Sequence, residues 1–384
     1  VDDPTCMFSV DNYIDLLGEC RKRKSFNHSR TLYFHICGDG LETDRKLGNH
    51  LIPTLVECGN VCEAHLVFNR LLNHNEHSWT ALLQGYAEKE EYEYTLSIWR
   101  GMRSSGVYPS RHTFMPLLKV CSMMNYVDEG RNLHHEIILE GFESDSFLGD
   151  TLVDMYAKCG LLVDAQGVFD KIVMRNVVTW TALIAGYTEC GFGETALLCL
   201  TQMQLDGIPP NNITYIFALK SCISIEDMSK GQEIHSSVIK EGFEKDPFIS
   251  SALIDMYIRF GSIIQAQGVF DEAQVCDLVV WTTIMAGYVE HGLYNETLAC
   301  FKEMRLKGMV GKMPLRMDLN WQQHVISCVD FKDDAENKIF SGLGVNTYLI
   351  DMLHLWASLS WENFSTFQWA FTQGAGALFS ALVR

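Results

Sequence analysis

GRNLHHEIILEGFESD (130–145) recurs as GQEIHSSVIKEGFEKD (231–246), an offset of 101 residues. The same offset carries LVDMYAKCG (152–160) onto LIDMYIRFG (253–261). It also aligns Trp79, Trp180 and Trp281, and Tyr86, Tyr187 and Tyr288. A fixed period of this kind signals stacked copies of one supersecondary unit rather than a single folded core. Local similarity subdivides the period into units of 35, 31 and 35 residues. Nine units result: 10–44, 45–75, 76–110, 111–145, 146–176, 177–211, 212–246, 247–277 and 278–312.

Each unit reads as two helices. In 177–211, Trp180, Leu183, Ile184 and Tyr187 follow the i, i+3, i+4, i+7 spacing that places side chains on one helical face. Gly191 and Gly193 then break the helix. A second helix turns Ala196, Leu200 and Met203 inward and ends at Gly207, followed by Pro209 and Pro210, as expected of a C-terminal glycine and trailing prolines. Gly85, Gly186 and Gly287 lie inside the first helices, where glycine costs about 1 kcal/mol relative to alanine, so a close helix contact is expected there. One hairpin cannot bury its own apolar face, and stacking nine of them forms a continuous core. The fold expected is all-α, a right-handed α-solenoid superhelix of helix-turn-helix hairpins.

Composition narrows the function. The chain of 384 residues carries a net charge of −18, which argues against holding nucleic acid by bulk electrostatics and confines any such partner to a restricted groove. The thirteen cysteines are scattered, mostly within apolar helical patterns, and read as reduced packing residues. Cys58 and Cys62 stand four apart, a weak metal signal, and no metal or cofactor is expected. No apolar run reaches the 18 or so residues of a membrane helix. Residues 1–9 read as a leader remnant without secretory features, and 313–384 as a divergent C-terminal region in which 326–336 and 348–352 resemble repeat segments, with a degenerate cap, an aberrant end and a partner-binding surface as its open readings.

The alternation of 35 and 31, together with VVTWTALIAGY (177–187), LVDMYAKCG (152–160) and HSSVIKEGFEKD (235–246), resembles the plant pentatricopeptide repeat proteins of the mixed-length subclass. The resemblance covers roughly residues 10–308. The C-terminal extension and deaminase-like domain of that subclass are not recognised in this sequence. The resemblance implies one nucleotide per reading unit, chosen by the fifth and last side chains of the unit. The pairs are Asn49 with Asn75, Thr80 with Ser110, Asp150 with Asn176, Thr181 with Asn211, and Ser251 with Asp277, while Thr282 is matched with Lys312. By the family's code Thr with Asn reads adenine, extended here to Thr80 with Ser110. Ser with Asp reads guanine, and Asn with Asn a pyrimidine. Asp150 and Lys312 depart from the pattern. The fifth residues Ile14, Met115 and Ile216 cannot hydrogen-bond a base, and their units serve as spacers. The second residues Val178, Phe248 and Val279 are expected to pack against bases.

The resemblance further implies a partner in single-stranded organellar RNA, in a mitochondrion or chloroplast, with a separate editing or processing enzyme acting in trans and no role for DNA or membrane. A protein-binding helical scaffold is the alternative, suited to the acidic charge. Two bland readings stand beside these. Last residues of the Asp, Asn and Ser types are also helix N-caps, and the H-x-E of His134, His135 and Glu136 coincides with histidines of the other copies, His35 and His235. The P-C-x-x-C that a zinc deaminase would add is missing, and no catalytic residue is assigned.

Overall fold

The computed structural model describes residues 9–273 and 277–307. Residues 1–8 of the expected leader, residues 308–312 of the ninth unit, and the region 313–384 lie outside the described residues. All regular structure among them is helical, in eighteen helices. The chain divides at Pro209 and Pro210 into two compact units.

The first unit holds six hairpins: α1 (Val10–Arg23) with α2 (Phe26–Gly38), α3 (Arg45–Glu57) with α4 (Val61–Arg70), α5 (Glu76–Glu88) with α6 (Tyr92–Ser104), α7 (Arg111–Met124) with α8 (Val127–Leu139), α9 (Ser146–Lys158) with α10 (Leu162–Lys171), and α11 (Val177–Glu189) with α12 (Gly193–Leu205). The leading helices α1, α3, α5, α7, α9 and α11 pack side by side in chain order. Each trailing helix packs on its own partner and, up to α10, against the next leading helix. The second unit holds α13 (Asn212–Ser224), α14 (Met228–Lys240), α15 (Pro247–Arg259), α16 (Ile263–Glu272), α17 (Leu278–Glu290) and α18 (Tyr294–Leu306). Its leading helices α13, α15 and α17 pack in chain order, each trailing helix packs on its own partner, and α16 also packs against α17.

The recurring aromatics explain the long period. Trp79 on α5 meets Phe68 on α4 edge-on at 4.6 Å between ring centres, and Trp180 meets Phe169 in the same way at 4.6 Å. In the second unit Trp281 meets Phe270 at 4.7 Å. All six rings are buried, so each pair seals one hairpin to the next.

The glycines inside the leading helices mark close approach, as expected. A Cβ on Gly85 would stand 2.7 Å from Val56 Cγ1, and one on Gly186 would stand 2.5 Å from Ala157 Cβ. A Cβ on Gly287 would collide with Ile258. Helix ends follow the glycine rule in one place and not in another. Gly191 adopts φ 82° and ends α11, its neighbour Phe192 N–H donating back to Tyr187 O at 2.8 Å. Gly193, expected to break a helix, instead opens α12 as its first residue and is buried there.

Candidate functional site

The last residue of each of the first eight units lies immediately before a leading helix, where the N–H groups of the first turn lack helical partners. Asp44 Oδ1 accepts from Leu47 N–H at 2.8 Å, Asn75 Oδ1 from Ser78 N–H at 2.9 Å, and Asn176 Oδ1 from Thr179 N–H at 3.1 Å. In the second unit Asn211 Oδ1 accepts from Thr214 N–H at 2.8 Å and Asp277 Oδ1 from Val280 N–H at 3.0 Å. The capping reading therefore holds for Asp44, Asn75, Asp145, Asn176, Asn211, Asp246 and Asp277, while the Ser110 side chain makes no cap hydrogen bond to a backbone N–H. Within each compact unit it fixes these side chains at the start of the leading helix that they precede. The fifth residue stands one turn into the preceding leading helix.

The third residue of the following unit joins the two columns, a role that sequence reading missed. Ser78 Oγ lies 2.8 Å from Asn49 Oδ1 and 2.9 Å from Asn75 Oδ1, so both amide oxygens share one hydroxyl. The two amide NH2 groups have no hydrogen-bond partner among the described residues. Thr179 Oγ1 donates to Asp150 Oδ1, and Asn176 Nδ2 donates to Asp150 Oδ2 at 2.8 Å. Thr113 Oγ1 lies 2.8 Å from Thr80 Oγ1 and accepts from Ser110 N–H at 3.1 Å. The available signal was a reciprocal cap, with a hydroxyl three residues after an Asn or Ser cap.

The remaining pairs differ. Ser251 Oγ bonds Thr283 Oγ1 at 2.9 Å and is not joined to Asp277, because the third residue there is Val280. Thr282 turns its hydroxyl back onto Leu278 O and Val279 O, both at 2.9 Å, and its expected partner Lys312 lies outside the described residues. Thr181 belongs to the first compact unit and Asn211 to the second, each being described within its own. Asp150 and Thr181 are buried and the other reading candidates half-buried.

Each compact unit also exposes apolar residues near these caps. The second residues Val178, Phe248 and Val279 are exposed, and Phe147 and Ile213, not singled out from the sequence, are exposed as well. Phe248 reaches 62% exposure, which no packing need within the chain explains. Two cations near the starts of leading helices are paired, Lys46 Nζ with Asp11 at 2.6 Å and Arg111 with Asp145 at 3.7 Å.

The other candidates resolve into packing. His134 Nδ1 lies 2.9 Å from the Tyr156 hydroxyl, and His235 Nδ1 lies 2.8 Å from that of Tyr257. Burial holds both imidazoles below their ordinary pKa and pushes the Tyr156 hydroxyl up to about 12. His35, counted as their counterpart from the sequence, sits two residues further along its helix, where Tyr33 takes the equivalent place. Glu136 pairs with Arg103 at 3.4 Å. Cys58 is buried and donates to Cys20 O at 3.6 Å, while Cys62 is exposed. Among the described residues no three His, Cys, Asp or Glu side chains are grouped to hold a metal ion, and no helix is long and apolar enough to cross a membrane.

Comparison with known proteins agrees with this repeat structure. The PPR repeat family matches residues 175–224, the PPR repeat matches 150–177 and 279–309, and the pentatricopeptide repeat domain matches 72–124. A pentatricopeptide repeat-containing protein of Arabidopsis thaliana is 33% identical over 77% of this chain and 36% of its own length. A second from that plant, named chloroplastic, is 31% identical over 76% of this chain and 48% of its own length. A third, named mitochondrial, is 32% identical over 77% of this chain and 47% of its own length. The chain thus spans less than half the length of these relatives. Among solved structures, the pentatricopeptide repeat protein PPR10 in complex with an 18-nt psaJ RNA element superposes with a TM-score of 0.69 at 18% identity, covering 90% of this chain and 51% of that one. At that identity the likeness establishes the helical-repeat fold alone. With its tandem hairpins, its matched repeats and these relatives, the chain belongs to the pentatricopeptide repeat family.

Proposed function

We propose that this chain binds single-stranded RNA with sequence selectivity and serves as a site-recognition factor in organellar RNA processing or editing, the chemistry being supplied by a separate enzyme in trans. The observation that carries the reading is the paired edge: polar fifth and last side chains held together by a third-position hydroxyl, beside exposed apolar second residues. An unstacked base offers a hydrogen-bonding edge and an apolar face, and this edge offers a match for each. At Asn49 with Asn75 the oxygens are occupied and the NH2 groups uncommitted, which suits the acceptor-rich edge of a pyrimidine.

The base-reading residues in this proposal are Asn49, Asn75, Thr80, Ser110, Asp150, Asn176, Thr181, Asn211, Ser251, Asp277 and Thr282. Relatives named chloroplastic and mitochondrial support an organellar setting, and unit lengths of 35 and 31 support the mixed-length subclass. The test is to crosslink the protein to RNA in plant organelle extract and sequence what is bound. Recovery of a common short motif containing the pyrimidine, adenine and guanine assigned to these pairs supports the reading. Equal binding to scrambled RNA contradicts it and favours a protein scaffold.

A further inference from the structure

Resting on the RNA-reading proposal, we infer that Glu76 is a third specificity-determining residue of the unit 76–110 and that it makes this unit select guanine rather than adenine. Glu76 opens α5 and turns its carboxylate onto the reading pair of its own unit. Glu76 Oε1 accepts from Thr80 Oγ1 at 2.8 Å, from Ser110 Oγ at 2.5 Å and from Thr113 Oγ1 at 3.1 Å. The other oxygen, Oε2, lies 3.1 Å from His77 Nδ1, and the carboxylate retains 24% exposure. Partial burial works against its ionisation, but the three hydroxyl donors outweigh this and hold the carboxyl below its ordinary pKa.

The consequence follows from counting hydrogens. A hydroxyl has one to donate, and Thr80, Ser110 and Thr113 all have theirs within reach of a single carboxylate oxygen. What remains for an incoming base is a set of acceptors: hydroxyl lone pairs and the carboxylate itself. Guanine carries two adjacent donors, N1–H and N2–H, on its pairing edge. Adenine and cytosine offer one amino group beside an acceptor, and uracil one N–H between two acceptors. An all-acceptor site therefore matches guanine at two points and every other base at one. The other Thr-led units provide an internal comparison, since their first residues are Val177 and Leu278, neither of which can act as an acceptor.

The experiment is selection from a randomised single-stranded RNA pool by the purified chain, by Glu76→Gln, which preserves size, and by Glu76→Val, which copies the first residue of the 177–211 unit. Circular dichroism and melting verify that both variants retain their helices. The expected result is a motif in which both variants alter the same single position. Guanine stands there for the unaltered protein and is favoured over adenine by roughly tenfold. Both variants abolish that preference, and Glu76→Val brings in adenine. An enriched motif that the variants leave unchanged, or adenine at that position with Glu76 in place, overturns the inference while RNA reading stands. Failure of the unaltered chain to enrich any motif overturns both.

Discussion

Asn176 Nδ2 donates to Asp150 Oδ2 across 2.8 Å, tying the last residue of a repeat to its fifth. Asp150 is buried, and its second oxygen takes the Thr179 hydroxyl, so a charged group is held at the seam between two leading helices by donors on both sides. The same contact that closes this pair also stiffens the stack.

Removing the acceptor should therefore be felt in stability. Asp150→Ala leaves the Asn176 amide and the Thr179 hydroxyl without their partner, and hydrogen bonds to a charged group contribute about 1.5–3 kcal/mol. A repeat array opens locally, so the measurement is amide hydrogen exchange across α9 and α11. Protection of those helices should fall by at least tenfold while α1 and α3 keep theirs. Unchanged exchange in α9 and α11 would count against a structural role for the contact.

Two glycine substitutions should act in opposite directions. Gly186→Ala gains helix propensity, but its Cβ stands 2.5 Å from Ala157 Cβ and 3.2 Å from Ala157 Cα, where no flexible side chain can yield. A net destabilisation of about 1–2 kcal/mol is expected. Gly167→Ala on the exposed side of α10 meets nothing within 4 Å and should stabilise by about 0.5–1 kcal/mol. Thermal melts of the two variants decide this, and shifts of the same sign would contradict the close-approach account.

The half-buried histidines make stability pH-dependent. Burial holds His134 and His235 below the ordinary histidine value of 6.5. The unfolded chain thus binds protons first as the solution is acidified. Their stabilisation is intact above pH 6.5 and is lost as pH falls through the depressed folded values. Melting temperature should drop between about pH 7 and pH 5, and the double variant His134→Gln, His235→Gln should flatten that drop. An equally steep profile in the double variant would assign the effect to other groups.

The fold was legible because stacking enforces periodicity. Trp79, Trp180 and Trp281 recur at 101 residues since each closes against an equivalent Phe, and Gly85, Gly186 and Gly287 recur because each stands where two helices nearly touch. The site was less so. The capping role of Asn75 and Asn176 is local and readable, but the hydroxyls of Ser78, Thr113 and Thr179 act across a repeat boundary on a residue about thirty positions earlier. Burial of Asp150 and the capture of the Thr80 and Ser110 hydroxyls by Glu76 depend on side-chain geometry that no helical phase reveals.

The most direct test of base reading is a change of one fifth residue. Thr181→Asn turns a Thr with Asn pair into the Asn with Asn arrangement already present at Asn49 and Asn75. Selection from a randomised RNA pool with both proteins should yield motifs that differ at a single position, adenine for Thr181 and a pyrimidine for the variant, with a preference of roughly tenfold in each case. Identical motifs from the two proteins, or RNA bound without any preferred base at that position, would contradict reading by these pairs.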